Sequence, residues 1–549
     1  MNKPYLLIGL FVLCFHPLLQ AQSWIWEKTG GSVGDDGIFS VATDIAGNIV
    51  IAGYFSQVLQ IPGLSPIQPY GDGDAFLIKY LPDGTLFWFV HIGGTGNDFI
   101  RDIQIDLDGN VYVLGDFESD LEIGSIDNLP LSGTSEAEKT YFLAKYNSNG
   151  VLQWGNIGNI FYSGIDGEEL YFDHQASSFD VNQNGEIIIT GHLVDDAGTG
   201  SDDVYLYRYD PSGGFITGYR SLGSSLERGT GVQFGPGGNH IVLTGYFFNE
   251  LNILNTNEFL FGNLSEIFVS KYTNDLDLIW SKSAGSNGED AAGGVAIDGG
   301  NNIFITGLCQ NNASFGPFTV STNGGQDFFV AKYNGNGTIQ WIQTGGSDGN
   351  DFLSKIEAAP DGSLYLLGSF ENNCLFDDNN ISIQSNNGSK DILFIKYLSN
   401  GAVDCYQTIG SINEDIGGDI AVGQNGLVIV GGAFSNSIQL SQTVASNGQT
   451  DFFAAVLDKL AVDVEPTPVV DLALSLHPNP VDQQLHYNLE GQVMEQIDIY
   501  RADGTLVFSE NGIERSSSEI DVSLFAQGLY YFKATHQNNV LVKSFLIQR

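Results

Sequence analysis

Positive charge is scarce in this chain: 21 Lys and Arg stand against 65 Asp and Glu in 549 residues, a formal charge of −44. Phosphate binding needs a basic patch, so the charge balance argues against a nucleic-acid partner, and an anionic lipid surface would repel the chain. Such an acid excess suits a soluble extracellular surface. Cysteine is sparse too, with four residues. Cys14 falls in an N-terminal apolar run, so Cys309, Cys374 and Cys405 allow at most one disulfide, with Cys309–Cys374 the candidate pair. Cys405 reads instead as a core thiol. Beyond His16 in that N-terminal stretch, the histidines (His91, His174, His192, His240, His477, His486 and His536) are scattered singly, without HExxH or CxxC, which leaves a zinc site without support. A GxSxG elbow and a phosphate-binding Gly loop are also missing. Long apolar runs are confined to the N-terminus. There Lys3, LLIGLFVLCF and the exit Gln20-Ala21 predict a signal peptide over residues 1–21, and hence an exported chain with no transmembrane segment once mature.

What is abundant is a repeat. An aromatic-rich run ending in Lys-Tyr, then a turn, then Trp, then Gly recurs seven times, most cleanly as DFFVAKYNGNGTIQWIQTGG from Asp327 to Gly346. Trp or its stand-in falls at Trp26, Trp88, Trp154, Gly218, Trp280, Trp341 and Cys405, at gaps of 62, 66, 64, 62, 61 and 64. Five residues further on, six of the seven copies carry Gly. Each copy holds four strand signals joined by turn residues, as in DFIRDIQID, VYVLGDF, YFLAKY and VLQWGNIG. Four up-and-down strands make one propeller blade. The copy from Asp451 lacks a Trp strand after it, and WIWEKTGG at 24–31 lacks a blade before it. The two ends complete each other, so the N-terminal strand is predicted to close the last blade and remove an open sheet edge. The expected fold is all-β: a seven-bladed propeller over residues 22–460. The segments KYNGNGTIQW and IDLDGNVYVLG resemble the bacterial SBBP β-propeller repeat family, which implies the fold and no particular activity.

Turns between first and second strands (DIAGN, DLDGN) and between third and fourth strands (LPDG, NSNG) are short. The segments between second and third strands are long and dissimilar: Ser56–Gly71, Glu118–Lys139, Asn249–Ser265, Gln310–Gln326 and Glu371–Lys390. Binding residues favour such variable loops on a rigid scaffold. On the same face, ten residues after the Trp position, stand Asp36, Asp98, Asp290, Asp351 and Asp415. They form either a ring of acid open to a cation or cationic ligand, or caps for their own loop amides. No cofactor is expected. DLDGN at 106–110 and GDGD at 71–74 lack the further acids and closing Glu of an EF-hand loop, so calcium is not expected at either. The repeated Lys-Tyr reads as a strand end and the Trp as inter-blade packing. An enzymatic alternative, a glycan hydrolase or lyase, needs two placed loop carboxylates. Asp195, Asp196, Asp377 and Asp378 qualify by location alone.

After Leu460 the segment VDVEPTPVVDL reads as an extended linker, residues 461–472. Short alternating strands over 473–549 then fit a small Ig-like β-sandwich. His477-Pro-Asn-Pro480, IYRADGTLV with Gly504, Gly528-Leu-Tyr530 and the Lys543 strand resemble the C-terminal sorting domain of the type IX secretion system; Pro478, Asn479 and Pro480 carry the first motif. The resemblance implies the type IX machinery as partner, passage to the cell surface or beyond, and cleavage within 462–472. Any further partner would be an extracellular protein or glycan on the variable-loop face, making the chain a non-enzymatic binding, adhesion or scaffold module.

Overall fold

The computed structural model describes residues 24–124, 131–134, 140–158, 162–163, 169–170, 173–194, 202–221, 225–359, 361–376, 381–386, 389–423, 426–440, 442–457, 474–489, 494–501, 506–536 and 539–548. The expected signal peptide and linker, Gly504, and Asp195, Asp196, Asp377 and Asp378 lie outside them. The chain divides into two compact units, Met1–Ala461 and Val462–Arg549.

The first unit is built from antiparallel sheets. In the first sheet the strands run Asp36–Thr43, Ile49–Phe55, Asp74–Tyr80 and Leu86–Gly93, side by side in chain order. Its second and third strands are buried almost throughout. That is why they read as unbroken apolar runs: both faces are covered by neighbouring sheets, so alternation is lost. The same four-strand order recurs in sheets that begin at Asp98–Ile105, Asp173–Val181, Glu227–Phe234, Ala291–Ile297, Phe352–Ala358 and Asp415–Val422. Each of these first strands packs on the first strand of the next sheet, and Asp415–Val422 returns to pack on Asp36–Thr43. The last sheet takes its fourth strand from the N-terminus: Trp24–Gly30 pairs antiparallel with Thr443–Leu457, Trp26 facing Val456 and Gly30 facing Phe452.

Consecutive sheets are latched at their outer edges by the repeated Trp and Lys. Trp26, Trp88 and Trp280 donate Nε1–H to the carbonyls of Pro82, Ser148 and Gly335 in the next sheet's outer turn, at 3.1, 3.1 and 3.2 Å. Lys79, Lys271 and Lys332 reach Ser148, Gly335 and Ser399 in the same turns at 3.3, 3.1 and 3.1 Å. The turn glycines Gly84, Gly213, Gly337 and Gly401 have φ between +79° and +88° or just below, at +79°, +82°, +77° and +88°. They lie under Trp26, Trp154, Trp280 and Trp341. Glycine is needed twice over there, for the positive φ and for the ring above it. In the third sheet Thr217, not Gly218, faces Arg208 in the register where Trp88 faces Lys79. The expected stand-in is displaced by one residue, and the missing Cβ of Gly218 makes room for the Tyr207 ring.

The three described cysteines are free thiols, so no Cys309–Cys374 bridge forms. Cys309 ends a second strand opposite Asp327, where Phe55 and Phe370 stand in other sheets. Cys374 lies instead in a hairpin strand, Asn373–Phe376. The two are therefore not register equivalents. Burial pushes both thiols well above the usual range.

The second unit has a three-stranded sheet (Leu474–His477, Gln484–Leu489, Ser517–Asp521) and a four-stranded one (Met494–Arg501, Leu506–Arg515, Gly528–His536, Asn539–Ile547). Leu485 and Tyr487 of one sheet and Ile497, Phe532 and Phe545 of the other share one core, the arrangement of a small sandwich.

Deleting residues 1–30 leaves the edge of Thr443–Leu457 unpaired. The truncated chain is expected to self-associate in size-exclusion light scattering and to melt at lower temperature than the full chain. A monomer of unchanged melting temperature would show that the strand is dispensable.

Candidate functional site

The five loop aspartates singled out in the sequence are buried: Asp36 is 2% exposed, and Asp98, Asp290, Asp351 and Asp415 are 0% exposed. They do not form an open acid ring on the loop face. Each accepts a hydrogen bond from the amide four residues earlier, Ser32 for Asp36 and Gly94, Ser286, Ser347 and Ser411 at 2.6 Å for the others. Asp290, Asp351 and Asp415 also accept the amides of Gln310 and Glu371, just past the second strand, and of Ser435, within it, at 3.0, 2.9 and 3.2 Å. One carboxylate thus fastens two loop ends of its sheet. Burial, the largest cause, pushes Asp36, Asp351 and Asp415 up to about 6 and Asp98 up to about 8, against the lowering effect of these hydrogen bonds. The turn acids are spent in the same way: Asp106 accepts from Asp108 N, Asn110 N and Asn110 Nδ2 at 3.0, 2.9 and 3.1 Å.

A second set of acids begins the third strands. Asp74, Asp327 and Asp451 accept the amides of Tyr70, Asn323 and Asn447 four residues back, at 2.6, 2.8 and 3.0 Å. Asp391 takes that of Asn386 at 2.8 Å. The repeated Gly of the outer strand lies directly on this acid: a methyl at Gly31, Gly93, Gly346 or Gly410 would collide with Asp451, Asp74, Asp327 or Asp391 respectively. This accounts for Gly at a position where turn geometry alone would not require it.

A further group of charged residues lies where the seven first strands meet. These strands line a cavity of about 350 Å³ that includes Asp102, Asp180, Lys355, Glu357 and Asp419. Every first strand carries a register shift just before Ser40, Asp102, Ser178, Gly231, Gly294, Lys355 or Asp419. A bulge of this kind re-aims a side chain. Ser40 Oγ lies 2.8 Å from Asp419 Oδ2 and 3.2 Å from Asp102 Oδ1. Lys355 Nζ stands 3.5 Å from Asp419 Oδ1. The amides of Phe179 and Phe234 donate to Asp102 and Asp180 at 3.2 and 2.8 Å. Burial first, and then mutual repulsion, pushes Asp102 up to about 6, Asp180 to about 7 and Glu357 to about 8. Lys355 is raised by Asp419 and Asp102, which outweigh its burial. The bore thus gathers four carboxyl groups around one ammonium. None of its charged residues was singled out in the sequence. The available signal was register: Ser40, Asp102, Lys355 and Asp419 each follow a loop aspartate by four.

The long segments between second and third strands are hairpins that turn back onto the preceding sheet. Asp120–Ile123 pairs with Leu131–Thr134 and with Ile92–Gly93. Asn373–Phe376 pairs with Ile381–Gln384 and with Gly345–Gly346. In the fourth sheet the second and third strands themselves lengthen, to His240–Asn252 and Phe259–Thr273. This hairpin exposes Phe259 (45%), Phe261 (71%) and Leu264 (48%). The two rings lie 6.1 Å apart at 21°.

In the second unit Pro478, Asn479 and Pro480 are exposed. Asn479 Oδ1 accepts the amide of Leu546 at 2.8 Å, tying the motif to the last strand. Tyr530 is buried and donates to Ala526 O at 2.8 Å. Gly528 opens its strand, and Lys543 lies exposed on the next one.

Residues 475–548 match the family described as Secretion system C-terminal sorting domain. The match points to export to the cell surface or extracellular space by type IX secretion. Among the described residues no helix is long and apolar enough to cross a membrane. An uncharacterized WD repeat-containing protein, L264, of Acanthamoeba polyphaga mimivirus is 26% identical over 233 residues. That alignment covers 37% of this chain and 16% of the viral protein's length. A DUF4221 family member from Bacteroides vulgatus aligns with a TM-score of 0.29 at 11% identity, over 71% of this chain and 98% of its own. An ancestral GH74 enzyme aligns with a TM-score of 0.23 at 10% identity, over 96% of this chain and 85% of its own. Likeness at these scores carries no argument.

The bore sets a pH dependence. A carboxyl whose folded pKa is raised binds its proton more tightly in the folded state, so its contribution is full at low pH and is lost as pH rises through the folded value. For Glu357 that window runs from the ordinary carboxyl range to about 8. Glu357→Gln is therefore expected to melt at higher temperature than wild type at pH 8.5, with the advantage shrinking toward pH 5. Parallel melting curves at all pH values would contradict this.

Proposed function

We propose that residues 22–460 form a seven-bladed β-propeller of the SBBP type, and that the chain is a non-enzymatic binding or scaffold module acting outside the cell. Type IX secretion, engaged through the C-terminal domain, delivers it there. The propeller reading is supported by sheets whose first strands pack in a closed succession, by the N-terminal strand in the last sheet, and by the likeness to a WD repeat protein. The binding reading rests on one observation: the fourth sheet's hairpin carries two near-parallel, exposed phenylalanines with a leucine beside them. Exposed apolar residues grouped in this way on a soluble surface mark an interaction site, and aromatic anchors dominate binding energy. The flat aromatic pair suits the apolar face of a sugar or an apolar side chain of a protein. The buried acids, each engaged with backbone amides, are suited to holding loops rather than to proton transfer.

Glycan and extracellular-protein arrays probed with the purified full chain test this reading. Phe259→Ser/Phe261→Ser is expected to weaken any selective binding by about tenfold or more while leaving the melting temperature unchanged. Undiminished binding by a folded double variant would remove the hairpin from the ligand site.

A further inference from the structure

The seven repeats serve as an internal comparison at the junction between sheets. There the acid at the start of a third strand meets the loop aspartate leading into the next sheet, beneath the outer-strand glycine. At the junction of the fourth and fifth sheets a Cβ on Gly285 would lie 2.8 Å from Glu266 Oε2 and 2.9 Å from Asp290 Oδ2, so both acids flank one point. Asp327 with Asp351, Asp391 with Asp415 and Asp36 with Asp451 repel each other in the equivalent places.

One outer-strand position faces each junction, three residues past the Trp register. In the first sheet it is His91, with Nε2 2.5 Å from Asp74 Oδ2. In the third it is Arg220, with Nη1 3.4 Å from Asp203 Oδ2. These two share one register, since Phe76 faces His91 as Tyr205 faces Arg220. In the second sheet the acid is replaced by Thr140 and the position by Ile157. Acid and basic partner occur together in the first and third sheets and are both replaced in the second, whereas in the fourth Glu266 and Asp290 are accompanied by Ser283 at that position. In the last three junctions both acids are present and the position holds Thr344, Thr408 or Thr29. Each of these junctions also has an asparagine on its third-strand acid: Asn323, Asn386 and Asn447.

The acids in these three junctions have an oxygen to spare. Asp327, Asp391 and Asp451 are each 1% exposed, and the Oδ1 of each has no hydrogen-bond partner; Asp74 Oδ1 shares this state, but there His91 sits on the other oxygen. A buried carboxylate oxygen left without a donor or cation is costly. At Asp451 a surface cavity lined by Thr29, Gly30, Asn447 and Gln60 reaches the acid, which gives a small ion an entry path.

We propose that the junctions at Asp327/Asp351, Asp391/Asp415 and Asp451/Asp36 each bind one divalent cation of the calcium class, doing for these sheets what His91 and Arg220 do for the first and third. Two facing carboxylates match a double charge. All-oxygen donors from carboxylate, amide and hydroxyl groups select a hard ion. This extends beyond the expectation drawn from the calcium-like turns at 71–74 and 106–110, and it does not depend on what the propeller binds.

The test uses the purified full chain stripped with chelator at pH 7.5 and titrated with CaCl₂ by calorimetry, with thermal melting in parallel. The expected stoichiometry is about three per chain, with a rise in melting temperature on the order of 5 °C at saturating calcium. Thr344→Arg, which copies Arg220, is expected to remove one site and to melt in chelator at or above the wild-type temperature. Asp327→Asn removes the same site by deleting the ligand and serves if the arginine does not fit. Absence of calcium heat together with an unchanged melting curve overturns the proposal in favour of carboxyl pairs that share a proton. Full stoichiometry in folded Asp327→Asn overturns the assignment of the sites.

Discussion

The latch between consecutive sheets is the constraint on which the rest of the first unit depends. A four-stranded sheet with both faces apolar cannot stand alone in water, and its buried second and third strands need a neighbour on each side. Trp88 illustrates how the neighbour is held. The ring is 5% exposed, and its one polar atom bonds to Ser148 O in the next sheet's outer turn. Lys79, in the adjacent strand, reaches the same carbonyl. Burying the ring supplies apolar area, and the N–H and ammonium fix where the turn sits. The Gly under Trp26 and under Trp280 follows from the same contact, so three repeated residue types share one cause there.

Once the outer edges are latched, the inner ends crowd. Loop acids solve part of that problem by accepting backbone amides, two each at Asp290, Asp351 and Asp415, which replaces hydration that burial removes. The cost appears as carboxyls held above their ordinary range, from Asp36 to Asp415. A chain with 21 basic residues to 65 acidic ones has few internal counter-charges to offer. Backbone donors therefore do most of the neutralising, and basic side chains enter only at particular junctions such as Arg220 with Asp203. The acidity of the composition is thus partly a property of the interior and not only of the surface.

The strand order, the repeat boundaries and the N-terminal strand's place in the last sheet were legible because they rest on periodicity and on turn residues. Trp26 and Asp451 could be matched across more than four hundred residues by the repeat alone. The bore was not legible. Ser40, Asp102, Lys355 and Asp419 face it because a bulge precedes each of them, and an extra residue in a strand leaves no mark in a pattern of alternating polarity. The burial of the loop acids was likewise not legible. Whether Asp290 faces water or Ser286 N depends on how the loop folds over it, which a spacing of ten residues from Trp does not encode. The same limit applied to Cys309 and Cys374, one of which ends a second strand while the other lies in a hairpin strand.

Internal repetition supplies what a single sequence otherwise lacks, a set of solutions to one physical problem. Position by position, the junction facing His91, Ile157, Arg220 or Thr344 shows which groups travel together. Ile157 accompanies Thr140, where the acid is gone; His91 and Arg220 accompany acids they touch. Coupling of that kind is what neighbouring charges in a low-dielectric interior require, because an unpaired buried charge costs far more than an exposed one. The fourth sheet departs differently: its second and third strands, like those of the last sheet, continue past the junction, here into the hairpin that exposes Phe259 and Phe261. Apolar side chains placed in water at the tip of a long strand pair contribute nothing to the core that the other repeats build. Their retention on a hairpin held by the longest ladder in the unit is more economically explained by contact with something outside the chain than by folding.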